Sequence, residues 1–160
     1  MLEPWYTILM NSLQTKVVFI YGIIALLVFV KGLYKSTKEK NPYRETRYLS
    51  WMGIFVWGDA VVFGLFWFLS SLISYLLKDW LLFLLIISVF WIVRSLGETI
   101  YCFNQQFSNI NRNPPERLRG YQFFKNDSIW FVYQISWQCV TVVSAVATIY
   151  LANLWLKNNF

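Results

Sequence analysis

Residues 60–93 read AVVFGLFWFLSSLISYLLKDWLLFLLIISVFWIV, and the only charges in that stretch are Lys78 and Asp79. A helix needs roughly 20 apolar residues to cross a hydrocarbon layer of roughly 30 Å. The stretch therefore predicts two membrane-crossing helices, running antiparallel and joined by a tight hairpin at Lys78 and Asp79. Extending outward to the nearest charges and turn residues puts these two spans at about 48–77 and 80–103. The first of them is long enough to tilt or to project beyond the bilayer. Two further apolar runs, at about 17–34 and 129–156, complete a set of four.

Composition agrees with this reading. The chain is 58% hydrophobic and 21% aromatic with 14% charged residues, and its mean hydropathy is +0.46. A soluble domain of this size has no interior large enough for so much apolar surface. The charges cluster between long uncharged runs, as they do in a bilayer protein. Trp51, Trp80, Trp130 and Trp155, with Tyr34, Tyr48 and Tyr133, fall near the expected span ends, where an aromatic belt sits. The expected fold is all-α: a polytopic four-helix transmembrane bundle forming a single integral membrane domain over residues 1–160. The start of the chain reads as a retained anchor, since it lacks a basic region before its apolar run and a small-residue cleavage site after it.

Lysine and arginine set the expected orientation. Lys31, Lys35, Lys38, Lys40, Arg44 and Arg47 flank the first connection, and Arg112, Arg117, Arg119 and Lys125 lie in the third. The opposite side carries only Lys16, Lys78 and Lys157. The positive-inside rule puts the basic connections in the cytoplasm and both termini outside, a pattern suited to a bacterial inner membrane or one derived from it. The net charge of +6 is then mainly a topology signal, with attraction to anionic lipid headgroups at the cytoplasmic face as its second consequence. Nucleic acid is not an expected partner, because no soluble domain carries the charge. The third connection, 104–128, has room for a short interfacial helix at about 115–124.

Much catalytic chemistry is removed by what the chain lacks. Without histidine there is no Ser-His or Cys-His pair, no His-ligated haem and no His-containing zinc site. Cys102 and Cys139 are too far apart for a CxxC motif and read as free thiols. Neither a Walker A loop nor a GxGxxG fingerprint is present, so no cofactor and no metal is expected. The sequon Asn126-Asp127-Ser128 falls on the expected cytoplasmic side, where it carries no glycan.

Polar residues inside the spans are the informative remainder, because a charge at membrane depth costs roughly 3 kcal/mol unless it is paired or wet. At 1.5 Å per residue, Asp59 is expected roughly 16 Å from the cytoplasmic end of its span, Arg94 roughly 15 Å and Glu98 roughly 9 Å, with Gln134 and Gln138 at roughly 7 and 13 Å. The five thus share one layer on three helices. Arg94, Glu98, Tyr101 and Gln105 are spaced as one helical stripe, and so are Gln134, Gln138 and Thr141. The simplest arrangement is a buried Asp-Arg-Glu network, with Arg94 bridging Asp59 and Glu98 and the glutamines adding hydrogen bonds. Small residues at Ala60 and Gly64, Ser70 and Ser74, and Ser144, Thr148 and Ala152 are spaced for close helix contact.

These features suggest a structural or accessory membrane protein, assembling as a homo-oligomer or within a larger membrane complex and fastened internally by the polar layer. The alternative is a small ion- or proton-coupled transporter or channel that uses Asp59 or Glu98 as a titrating carboxylate. A lipid-modifying enzyme ranks third, since no nucleophile or metal motif supports one.

Overall fold

The computed structural model describes residues 10–46, 48–107, 113–118 and 120–159. Arg47, Arg112, Arg119 and the side chain of Arg117, all counted above for orientation, lie outside the described residues, as do residues 1–9 of the expected anchor. The described chain is helical, with α1 at Ser12–Thr37, α2 at Trp57–Leu77, α3 at Trp80–Phe107, a single turn α4 at Tyr121–Phe124, and α5 at Ser128–Asn159. Among the described residues, α1, α2, α3 and α5 are long and apolar enough to cross a membrane. The chain forms two compact units, Met1–Ile86 with Leu151–Phe160, and Ile87–Tyr150.

In the first unit α1 opens on a reciprocal cap. The Asn11 side chain accepts from Gln14 N at 2.8 Å, and Gln14 Oε1 accepts from Asn11 N at 2.9 Å. The amide of Met10 donates to the carbonyl of Lys78 at 3.2 Å, which ties the start of α1 to the end of α2. The two helices therefore run antiparallel. Their contact is made of small residues: Val18, Gly22, Ala25, Val28 and Gly32 are the buried positions of α1, and Ala60, Gly64, Ser70, Ser71 and Ser74 are among those of α2. At Gly64 an added Cβ would stand 2.8 Å from Phe29 N and 2.9 Å from Phe29 Cα. Main chain meets main chain here, and only glycine permits it. The small-residue spacing in the second span thus faces α1, which supplies a matching glycine and alanine stripe of its own.

The expected span at 48–77 is helical only from Trp57 onward. Before it, the chain doubles back on itself. Gly58 N donates to Pro42 O at 2.8 Å, Trp57 N to Arg44 O at 3.2 Å, and Thr46 N to Phe55 O at 2.7 Å, with a bridge between Glu45 and Val56. The Thr46 hydroxyl adds a bond to Ile54 O at 2.8 Å. At the far end Ser50–Met52 form a 3-10 turn that closes on Gly53, whose φ of 73° is left-handed. Met52 and Ile54 are fully buried. The Met52 carbonyl accepts from the Trp67 indole N–H at 2.9 Å. Trp67 is ten residues into α2, so this tip lies roughly 15 Å along the helix from its start. Trp51 and Trp67 both meet the ring of Tyr21 edge-on, at 5.7 and 5.6 Å, and Phe83 meets it at 5.5 Å.

Asp59 explains why the helix starts late. It is the third residue of α2, and its carboxylate accepts from Phe55 N at 3.0 Å and Val56 N at 3.3 Å. An acidic side chain in the first turn satisfies donors that precede the helix and complements its dipole. α2 ends at Lys78, which is left-handed with φ 52°, and Asp79 opens α3 by accepting from Leu82 N at 2.9 Å.

The second unit contains residues 87–107 of α3, residues 128–150 of α5 and their connection. Cys102, Ile129 and Trp130 are its buried apolar centre, with Leu118, Tyr121, Tyr133 and Trp137 packed on them. The helix expected at about 115–124 is broken into a 3-10 turn at Pro115–Arg117 and the single turn of α4, because Gly120 stands between them with φ 89°.

Candidate functional site

The expected Asp59–Arg94–Glu98 network is not seen. Asp59 belongs to the first unit, where its carboxylate caps α2. Arg94 and Glu98 belong to the second, where Nη2 and Oε1 are 2.7 Å apart across one turn of α3. The expected depth of Asp59 was wrong, because α2 starts at Trp57. The expectation gave Asp59 roughly 16 Å of helix below it, whereas that length of chain is the doubled-back segment 48–56. The Arg94–Glu98 part of the expectation stands as an i, i+4 pair with 14% and 18% of the side chains exposed.

Between α3 and α5 in the second unit the polar contacts come in pairs. Gln106 Nε2 donates to Gln134 Oε1 at 2.6 Å and also lies 3.3 Å from Cys102 O. The hydroxyls of Ser95 and Thr141 are 2.8 Å apart. One donates to the other, which in turn donates to a carbonyl of its own helix, Trp91 O at 2.5 Å for Ser95 or Trp137 O at 3.0 Å for Thr141. Ser95, Cys102 and Gln106 of α3 thus meet α5, each one residue on from a member of the expected stripe of Arg94, Glu98, Tyr101 and Gln105. Ser95 and Thr141 are short enough for their hydroxyls to meet directly. Tyr101 stacks edge-on against Trp130 at 5.9 Å, and its hydroxyl accepts from Asn113 Nδ2 at 3.3 Å. Gln138, one turn on from Gln134, is exposed. An open depression of about 490 Å³ lies outside this contact, lined by Glu116, Leu118, Gly120, Tyr121 and Gln122.

Asp79, expected only as part of the hairpin after the second span, makes two bonds in the first unit. Besides capping α3, it accepts from the Trp155 indole N–H at 2.6 Å through its second oxygen. A Lys-Asp-Trp run just before an apolar stretch is a helix-start signal that could have identified the cap; the tryptophan partner lies 76 residues away and has no local signature. Asp79→Ala is expected to cost about 1–2 kcal/mol through the lost cap, a fall of several degrees in the thermal midpoint in detergent. Asp79→Asn keeps one acceptor oxygen and is expected to recover the cap on Leu82 N, while the Trp155 indole N–H loses its acceptor.

Among the described residues no three Cys, Asp or Glu side chains converge as metal ligands would. No protein-family model, curated protein or solved structure matches the chain.

Proposed function

We propose that this chain is an integral membrane protein of structural or accessory kind, which acts by assembling with other membrane components and not by catalysis. The observation that carries the reading is that the polar side chains joining α3 to α5 are used on one another: Gln106 with Gln134, and Ser95 with Thr141. Hydrocarbon offers no competing partners, so such pairs hold helices together at modest individual strength. In this reading the four long helices cross the bilayer, the basic connections face the cytoplasm and its anionic headgroups, and both termini lie on the other side. Gln134→Leu then costs roughly 0.6–1.7 kcal/mol, a drop of a few degrees in the thermal midpoint in detergent. Reconstituted protein is expected to conduct neither protons nor alkali cations.

The Arg94–Glu98 pair favours a second reading, an ion- or proton-coupled transporter, because ionisable groups inside a helix of this length are functional by default. Proteoliposome flux that disappears in Glu98→Gln, with the fold intact, replaces the first reading by the second.

A further inference from the structure

We infer that α5 carries a self-association site centred on Gln138, and that its occupant is a second copy of this chain. The inference deepens the assembly reading above and rests on its placing α5 across the bilayer. Gln138 is exposed, and among the described residues its carboxamide makes no hydrogen bond. The residues one and two turns before it and one and three turns after it on the same face, Phe131, Ile135, Val142 and Ile149, are 53%, 41%, 63% and 72% exposed. One carboxamide without a hydrogen bond thus stands in an open apolar stripe, while Gln134, one turn before it, accepts from Gln106. Ala145, two turns on and nearly in line with it, leaves room for close approach.

Trp130 and Trp155 mark the ends of the apolar run. At 1.5 Å per residue Gln138 is then roughly 7 Å from the middle of the helix, well inside a core of roughly 30 Å. Lipid tails can neither accept from its N–H groups nor donate to its carbonyl. The chemistry of the group selects the occupant. A carboxamide carries two donors and an acceptor, so two of them satisfy each other without any third group. Copies inserted in the same orientation run their α5 helices in parallel, and a two-fold axis between parallel helices sets each residue opposite itself at equal depth. Gln138 of one copy therefore meets Gln138 of the next.

The test uses the full chain in liposomes. Resistance to alkaline carbonate extraction is measured first, and release by carbonate overturns the membrane reading and this inference together. For chain that stays in the bilayer, energy transfer between donor- and acceptor-labelled copies is followed as lipid is added. The expected result is a reversible dimer that Gln138→Leu weakens about tenfold and Gln138→Asn largely keeps. In a Cys139→Ser background, Ala145→Cys is expected to give an oxidised covalent dimer, and Val143→Cys, on another face, is not. Membrane-bound chain that is monomeric at every dilution, that associates equally well as Gln138→Leu, or that cross-links better through residue 143 overturns the inference alone.

Discussion

Gly64→Leu is expected to yield no folded protein. Even the first carbon of a side chain at this position stands 2.8 Å from Phe29 N, 2.9 Å from its Cα and 3.0 Å from its Cβ. All three atoms belong to the α1 backbone or its immediate branch, so no rotamer change relieves the clash and the helices must separate. Overpacking in an interior that can adjust costs about 1–3 kcal/mol. Here the adjustment would break the whole α1–α2 contact, against a total stability of about 5–15 kcal/mol. Gly97→Ala is the matched control, since nothing lies within 4 Å of an added Cβ there and the helix gains up to about 1 kcal/mol of propensity. Monodisperse yield in detergent separates the two: Gly64→Leu is lost to aggregate and Gly97→Ala recovers at or above the parent level. Comparable yields for both would mean that α1 and α2 do not meet through their glycines.

Trp67→Ala is expected to have the second largest effect. The residue is 1% exposed, meets Tyr21 and Phe66 edge-on and donates to the Met52 carbonyl. Truncating such a side chain costs about 3–5 kcal/mol. Trp67→Phe divides that loss into parts. It keeps most of the ring area while leaving the buried Met52 carbonyl without its donor, at about 1–3 kcal/mol. The segment at 48–53 should then open before the helices do. Limited proteolysis is expected to cut near Tyr48 and Trp51 in Trp67→Phe at temperatures where the parent is resistant. Resistance equal to the parent would mean that the indole bond is not what holds the tip.

The four long helices were legible in the sequence because hydropathy over some 20 residues is a sum, which small errors at the ends do not disturb. The start of the second was not. Leu49, Trp51, Met52, Ile54 and Phe55 are as apolar as the helix they precede, and hydropathy counts side chains without asking which carbonyl bonds which amide. Two residues held the missing information: Gly53, suited to a left-handed turn, and Asp59, three residues past Val56, where a helix-start carboxylate belongs. Asp59 was read as a buried charge, and its part in capping α2 was missed. On α3 the Arg94–Glu98 pair was legible, but part of the contact with α5 was not. Arg94 and Glu98 are conspicuous as charges, while Ser95, Cys102 and Gln106, which also meet α5, carry no charge to mark them.

The doubled-back segment before α2 also has a consequence for the order in which the molecule is made. Residues 49–54 leave the ribosome before α2 does, yet the Met52 carbonyl finds its donor only on a tryptophan that is already helical, ten residues further on than Trp57. The segment's own turn pairs the amides of Met52, Gly53 and Ile54 with carbonyls at Leu49 and Ser50, but the Met52 carbonyl takes its bond from α2. The earlier residues therefore depend on the later ones: the tip cannot complete its bonding until Trp67 has been made.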